Sequence, residues 1–310
     1  MPFSLQRLTQ RTRPEAFFIG SAIFHYLGPA FAVLLFSRVE PLGVAWLRIV
    51  AAAAVFALWR RPWRRFAGLD REGRRVILAL GTVFALMNVC FYVAIDRLPL
   101  GTVAAIEFLP VILLAAVGTR TMRNAAALAL AVIGVYLLTD VELEGEPVGV
   151  VFAFVNAALF ALYIVVAHRL SRIPGIGRID GLAAAMLVAA VCVTPLAGWS
   201  AAPALVDPMA LAAGIGVGVS SSVVPYVFDQ LAMARLRRET YSLLVSLLPA
   251  TATIVGVLVL SQLPSWIEVA GVALVVAAVA AHRERDEHGD GHPGGDSHRA
   301  TQGADVPSRP

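Results

Sequence analysis

Ten long apolar stretches, each close to the length of a bilayer-spanning helix, set the strongest constraint on what this chain can form. A transmembrane helix needs about 20 mostly apolar residues. The stretches lie at residues 15–36, 41–59, 75–95, 99–118, 123–139, 148–167, 180–199, 209–231, 240–260 and 264–281. Only 15% of the residues are charged, whereas a soluble domain has about 25%. We therefore expect an all-α polytopic membrane protein with ten transmembrane helices.

The arginines predict how these helices are oriented. All 25 basic residues are arginine, and the connections between the apolar stretches are short, so neighbouring helices should be antiparallel. With the N-terminus in the cytoplasm, Arg38 and Arg97 are the only arginines in outer loops, and the remaining loop and terminal arginines lie inside. Because positive charge accumulates in cytoplasmic loops, this pattern predicts a multi-pass membrane protein with both termini in the cytoplasm.

A sequence pattern that occurs twice predicts that the chain is built from two related halves. Ala94–Leu98, Thr102 and Pro110 correspond to Ala232–Leu236, Thr240 and Pro249, with one residue of slippage at the proline. Five helices per half is an odd number, so the halves enter the membrane from opposite sides and form a 5+5 inverted-topology repeat. The predicted units are a cytoplasmic segment 1–14, five-helix repeats 15–139 and 148–281, and a disordered tail 282–310.

Four ionisable residues within the stretches are the first candidates for function, because a charge near the bilayer centre costs at least about 2.5–3.5 kcal/mol. Glu107 is the strongest candidate: it could bind a proton or a substrate amine, or form a structural ion pair with Arg48. Arg48 could bind a substrate carboxylate, hold helices together, or extend to the interface. His25 is a proton relay or a hydrogen-bonded core histidine. Asp229 is close enough to the cytoplasmic end to be interfacial.

Neutral polar residues at helical spacing complete the candidate site. The residues expected to line a central cavity are Asn88, Tyr92, Asn156, Tyr163, Ser222 and Tyr226. Prolines inside helices free a backbone carbonyl and bend the helix, and the candidates here are Pro110, Pro225 and Pro249. The small-residue run 214–222 should let another helix backbone approach closely.

The expected partners follow from the same features. They are a small-molecule substrate and the lipid bilayer, with a homodimer as an open alternative. The formal charge of +4 is no nucleic-acid signal, because the arginines punctuate membrane segments. The histidines of the tail match no defined metal site, so we expect no metal and no cofactor.

The chain resembles the EamA family of the drug/metabolite transporter superfamily. The resemblance rests on ten helices arranged five plus five, on the arginine-bearing segment WLRIVAA in the second helix, and on the segments 87–115 and 223–278. These two segments resemble the threonine/homoserine exporter branch. The resemblance implies an inner-membrane exporter of small metabolites, with amino acids as the first expectation, driven by an ion gradient. Such proteins usually have a Gly-Glu pair after the ninth helix, where this chain has Ser261-Gln262.

The function expected from the sequence is secondary transport by alternating access, with proton coupling at Glu107. Open alternatives are export or facilitated diffusion of a drug, sugar or nucleotide-derived metabolite. ATP-driven transport is disfavoured because a chain without lysine has no P-loop. An intramembrane enzyme would need clustered catalytic groups, and a sensor or scaffold would need a soluble output domain. Neither feature is visible in the sequence, so we expect no enzyme.

Overall fold

The computed structural model describes residues 14–118, 121–143, 146–173, 176–233, 235–236, 240 and 244–281. All regular secondary structure within these residues is helical, as predicted. The α-helices are α1 (Pro14–Leu35), α2 (Pro41–Arg60), α3 (Pro62–Ala67), α4 (Arg71–Ile95), α5 (Leu100–Gly118), α6 (Met122–Leu143), α7 (Pro147–Leu170), α8 (Arg178–Ala197), α9 (Ala202–Val206), α10 (Pro208–Gly218), α11 (Val224–Met233), α12 (Leu248–Leu260) and α13 (Trp266–Ala281). A 3-10 turn (Trp199–Ala201) precedes α9, and a π-helical segment (Val219–Val223) joins α10 to α11.

The described helices follow the apolar stretches closely. Six spans are long and apolar enough to cross a membrane: α1, α2, α4, α7, α8, and the continuous run from α10 into α11. Shorter apolar helices occupy the other four stretches, within α5, α6, α12 and α13. The eighth stretch differs from a regular helix because it contains the π-helical segment. The ninth stretch was predicted to run from residue 240; residues 240 and 244–245 are helical, a turn follows at 246–247, and α12 begins at Leu248.

Local sequence signals set where several helices begin. The Asp70 carboxylate accepts the Gly73 N–H at the start of α4 at 2.8 Å, and Asp207 accepts two N–H groups at the start of α10. Ser265 and Glu268 form a reciprocal capping box before α13. A cap satisfies N–H groups that have no partner inside the helix. These caps therefore define the first residues of α4, α10 and α13.

Helices from the first five apolar stretches pack mainly against helices from the last five. Helix α1 packs against the run from α10 to α11, and α4 against α7 and α8. Helix α2 packs against α8 and α10, α5 against α7 and α12, and α6 against α13. Helix α12 in turn packs against α1, as α5 does against α7. The contacts therefore join the first five apolar stretches to the last five throughout the bundle.

The predicted close approach at the small-residue run is present between α10 and α2. A Cβ atom placed on Gly218 would lie 2.8 Å from the carbonyl oxygen of Arg48, and one on Gly214 would meet Leu47 at 2.6 Å. Side chains larger than hydrogen would push these helices apart. The close contact presses the backbone at Arg48 onto the start of the π-helical segment and brings its side chain within reach of the following serines.

Candidate functional site

A buried arginine joins α2 to the π-helical segment. The Arg48 Nε donates to Ser222 Oγ at 3.1 Å, and its Nη2 donates to the carbonyl oxygen of Ser221 at 3.4 Å. The guanidinium carbon lies 5.6 Å from the centre of the Tyr92 ring of α4, a cation–π arrangement. Three helical segments thus contribute to the environment of one buried cation, and all of their contributions are neutral.

Backbone geometry explains why the Ser221 carbonyl is available to Arg48. Pro225 has no N–H, so it cannot give the hydrogen bond that an α-helix would send to the carbonyl four residues earlier, that of Ser221. Here the chain also forms a π-helical turn, in which the Val224 N–H donates to Val219 O, five residues back. Such turns often occur at functional sites. The proline that the sequence marked as a source of free carbonyls therefore sits beside the arginine.

A second polar pair lies between α5 and α7. The Asn156 Nδ2 donates to Glu107 Oε1 at 3.0 Å, and both residues are buried. The Asn156 Oδ1 has no hydrogen-bond partner among the described residues. Pro110 in the same helix as Glu107 leaves the carbonyl of Ile106 without its α-helical donor. A carboxylate, an amide oxygen and a backbone carbonyl are thus available as hydrogen-bond acceptors where α5 packs against α7.

The two polar groups are near each other but are not directly paired. Arg48 and Glu107 are close enough to interact electrostatically. In the part of the chain that the structure describes, no oxygen of Glu107 lies within 4.0 Å of the Arg48 guanidinium. Each charge has neutral hydrogen-bonding partners instead. The hypothesis that Glu107 and Arg48 form a structural ion pair is therefore not supported by a direct contact.

His25 provides the evidence that open space reaches these groups. The outward face of α1 carries exposed apolar side chains such as Ile19, Ile23 and Leu34. At 100° per residue, His25 is turned about 200° from Ile23 and so faces the other helices. It is nevertheless exposed, while its neighbour Tyr26 is buried with its ring 5.2 Å away. His25 also lies close enough to Arg48 for an electrostatic interaction. The His25 side chain therefore points into accessible space inside the bundle.

Comparisons with known proteins agree with this arrangement. Residues 147–281 match the EamA-like transporter family. The chain is 29% identical over 255 residues to the threonine/homoserine exporter RhtA of Salmonella typhimurium strain LT2, covering 81% of this chain and 84% of that protein. RhtA of Escherichia coli strain K12 gives the same identity and coverage. The second half of this chain is therefore similar to EamA-like transporters, and most of its length is similar to the two exporters.

A solved crystal structure shares the fold of this EamA-like protein. It is 19% identical, covers 87% of this chain and 96% of its own, and superposes with a TM-score of 0.54. The similarity to EamA-like transporters and the apolar helices together support a multi-pass membrane protein. They point to a transporter rather than to an enzyme, as expected.

The remaining predicted cavity residues of this EamA-like chain occupy less central positions. Asn88 is buried on α4, but its amide donates to the Phe84 carbonyl of its own helix at 2.9 Å. Tyr163 stacks on Phe160, with ring centres 6.1 Å apart. Tyr226 packs edge-on against Phe56. These contacts place the two tyrosines in aromatic packing, and the structure does not bring them to Glu107.

The other predicted residues have different outcomes. Pro225 lies at the start of α11 and Pro110 inside α5, as expected. Pro249 lies in the first turn of α12, directly after the turn that interrupts the ninth stretch, and its missing N–H has no cost there. The side chain of Asp229 and the histidine tail lie outside the described residues. Among the residues that are described, no group of three His, Cys, Asp or Glu could hold a metal.

Sequence reasoning missed Ser221 and Tyr26. Ser221 acts through its carbonyl, and the available signal was its position four residues before Pro225. Tyr26 is nearly inaccessible on α1 and close enough to Glu107 to interact electrostatically. Nothing in the sequence distinguishes it from an ordinary core tyrosine. The surroundings of the Tyr26 hydroxyl depend on how α1 is rotated towards the other helices, which the sequence does not show.

The unusual Ser261-Gln262 pair also has a structural explanation. Ser261 ends α12 with a left-handed backbone, φ 55°. The Gln262 side-chain oxygen then accepts the Leu100 N–H at 3.1 Å, at the first residue of α5. Gln262 therefore links the loop between α12 and α13 to the start of the helix that carries Glu107. A glutamate at this position could accept the same bond, with added negative charge at a helix N-terminus.

Proposed function

We propose that this EamA-like protein exports a small zwitterionic amino acid, such as threonine or homoserine, by proton-coupled alternating access. The curated relatives that it resembles are named threonine/homoserine exporters. We further propose that it acts in the cell inner membrane with both termini in the cytoplasm. The function is supported chiefly by one observation: a buried arginine and a buried glutamate lie near each other without neutralising each other.

The chemistry of the two polar groups matches the two ends of an amino acid. A substrate carboxylate needs a cation that can donate hydrogen bonds. Arg48 is such a cation, and its hydrogen-bond partners, Ser222 and the Ser221 carbonyl, are neutral and do not balance its charge. A substrate ammonium needs acceptors, which Glu107 and the unpartnered Asn156 Oδ1 offer. Charge-assisted hydrogen bonds at both ends would hold the solute in one orientation. In the absence of solute, the Asn156 Oδ1 has no protein partner.

Glu107 can also connect export to a proton gradient. A carboxylate left buried without an ammonium partner is costly, whereas a protonated carboxyl group is tolerated much better. When the solute departs to the outside, Glu107 would take up a proton and carry it inward on the return step. One group would then bind either the substrate amine or a proton, which makes the two movements depend on each other.

The packing pattern supports movement between two states. Helix α1, in the first apolar stretch, packs against the eighth stretch, and α4, in the third, packs against the sixth. If the second half repeats the first, stretches one and three correspond to stretches six and eight, so each of these contacts is the counterpart of the other. We propose that this reflects the 5+5 inverted repeat expected from the sequence, with units 15–139 and 148–281. In such proteins the substrate binds near the midplane, and the halves rock around it.

Efflux measurement tests the proposal. Cells that produce the full chain are loaded with labelled threonine, homoserine and other amino acids, and efflux is followed with and without an uncoupler. The wild type should export at least one of them in an uncoupler-sensitive way. Glu107→Gln should reduce gradient-driven efflux at least about tenfold, because an amide can take the Asn156 bond but cannot exchange a proton.

Glu146→Gln is the matched control, because Glu146 is exposed and caps no helix with its side chain. It should transport like wild type, with both proteins present in the membrane at equal amounts. Undiminished, uncoupler-sensitive efflux by Glu107→Gln would disprove the coupling role. Export of only drugs, sugars or nucleotide-derived metabolites would replace the amino-acid substrate.

A further inference from the structure

A second cavity lies away from Arg48 and Glu107, where the start of α5 meets the end of α12 and the start of α13. It has a volume of about 270 Å³ and is lined by Thr102, Thr253, Gln262 and Glu268 together with Pro99, Leu263 and other apolar residues. An amino acid of the size of threonine fits such a space, which is near the lower end of small-molecule sites. Polar groups from three helical segments thus converge on one partly open cavity.

Thr102 contributes a hydroxyl to the wall of this cavity. Its side chain lines the cavity and is only 2% exposed. Its hydroxyl makes no hydrogen bond with any described residue. The enclosed unpartnered side-chain atoms of the described residues are Tyr92 Oη and Asn156 Oδ1, so the Thr102 hydroxyl is not sealed off and reaches the cavity. A solute in the cavity can therefore complete its hydrogen bonding.

The other polar groups have hydrogen-bonding capacity of both kinds. The Gln262 oxygen is occupied by the Leu100 N–H, so its amide nitrogen, which has no partner among the described residues, can donate. Glu268 is buried, and its Oε2 accepts the Ser265 N–H at 2.7 Å. No arginine in the described part of the chain forms an ion pair with it. A donor amide, a free hydroxyl and an uncompensated carboxylate suit a small zwitterion.

The walls of this cavity hold its shape. Thr253 donates to the Pro249 carbonyl at 3.0 Å, and a side chain at Gly101 would collide with that threonine, so α5 and α12 are in close contact here. The capping box of Ser265 and Glu268 fixes the start of α13. The polar groups are thus positioned before any solute arrives, which lowers the entropic cost of binding.

We propose that this cavity is a second amino-acid site, which holds the exported solute at the Gln262 end of the bundle as it leaves the central site. The ammonium contacts Glu268, and the carboxylate contacts the Thr102 hydroxyl and the Gln262 amide. This inference rests on the proposed export of an amino acid. By the arginine distribution, this end of the bundle faces outward, which is where a departing solute would pause.

Equilibrium binding of radiolabelled L-threonine and L-homoserine to the purified full chain in lipid nanodiscs tests the second site. Wild type should bind about two molecules of one of these amino acids per chain. Thr102→Val, which keeps the shape and removes the hydroxyl, should bind about one, as should Glu268→Gln, which keeps an acceptor for Ser265 and removes the charge. Glu107→Gln should lose the other molecule.

Thr82→Val is the matched control, because the exposed Thr82 hydroxyl bonds to Leu78 O at 2.9 Å and contacts Cys192 Sγ at 3.7 Å, and Thr82 does not line the cavity. It should bind as wild type does. Wild-type stoichiometry in both Thr102→Val and Glu268→Gln overturns the second site, as does a single wild-type site that Glu107→Gln abolishes. Loss of one molecule in Thr102→Val with no change in Glu107→Gln keeps the second site and removes the proposed central one. Absence of any binding overturns the second site, while efflux still decides the proposed function.

Discussion

The ionic groups at the ends of the bundle and those in its interior are stabilised in opposite ways. At the ends, Arg38 pairs with Asp207 at 3.2 Å and Arg60 with Asp180 at 2.8 Å, so each cation meets a carboxylate. In the interior, Arg48 meets two serines and a tyrosine ring, and Glu107 meets an asparagine. Opposite charges neutralise each other at the ends, while neutral dipoles surround each charge inside.

This difference indicates which charges remain available for function. The Arg38–Asp207 pair is exposed on both sides, and such pairs contribute about 0–1 kcal/mol because water already solvates both partners. An interior charge costs far more, so its fixed dipoles are needed to make burial tolerable. A charge whose partners are neutral dipoles still lacks a counter-charge. A charged substrate group can supply it, as can a proton in the case of Glu107. The end pairs tie helices together, whereas the interior charges are the ones that we propose to bind solute.

The largest effect should come from replacing the interior arginine by lysine. Arg48→Lys keeps the charge but loses the geometry that reaches Ser222, the Ser221 carbonyl and the Tyr92 face together. Two lost charge-assisted bonds correspond to about 3 kcal/mol or more, so amino-acid efflux should fall about 100-fold. Arg38→Lys is the matched change at the exposed end pair and should leave efflux within about twofold. Equal losses in both variants would contradict the distinction between interior and end charges.

A smaller effect is expected from removing one neutral partner of the arginine. Ser222→Ala removes the oxygen that accepts the Arg48 Nε–H. A hydrogen bond to a charged group contributes about 1.5–3 kcal/mol, so the loss in efflux should be about tenfold. In Ser220→Ala, the lost hydroxyl bonds only the Val217 carbonyl of its own helix, and efflux should change little. If the two alanine variants transport equally well, the Ser222 contact has no part in holding Arg48.

The smallest effect concerns an end carboxylate and its pH dependence. The pKa of Asp207 is lowered from its usual 3.8, chiefly because its carboxylate accepts the Ala210 N–H, with further contributions from the Met209 N–H and Arg38. A lowered folded-state pKa means that the ionised group stabilises the fold above pH 3.8, and that this contribution is lost as the pH falls through the lowered pKa. Asparagine is also a good N-cap.

Asp207→Asn should therefore lower the midpoint of thermal unfolding in detergent only slightly at pH 7, and the difference from wild type should shrink below pH 3.8. Thermal unfolding followed by circular dichroism at both pH values measures this. A difference that widens in acid would show that the capping and Arg38 contacts do not favour the ionised form.

Much of the fold could be predicted because the signals for a membrane helix are local. Hydropathy located α1, α2, α4, α7 and α8 to within a few residues, since each needs only its own apolar length. It missed the turn at residues 246–247 that interrupts the ninth stretch, because a regular apolar period does not reveal such a turn. It also missed the π-helical segment, since the run of serines before Pro225 reads equally well as a regular α-helical turn.

The site was predicted in part, for a related reason. Glu107 and Arg48 stood out because charges are rare inside membrane segments. Their partners did not stand out: Asn156 was one of several polar candidates, and Ser221 contributes a backbone atom that no side-chain pattern marks. Tyr163 and Tyr226 had the right spacing on their own helices, but they face aromatic neighbours.

The sequence alone thus determined that the chain is an all-helical membrane protein, where most of its helices lie and which charges are buried in them. Those properties depend on residue type and on distance along the chain. Only the tertiary structure decided that Arg48 meets the Ser221 carbonyl across 173 residues and that Asn156 meets Glu107 across 49. Such contacts depend on how helices rotate and approach one another, at glycines such as Gly218, and that is a property of packing between helices rather than of any one of them.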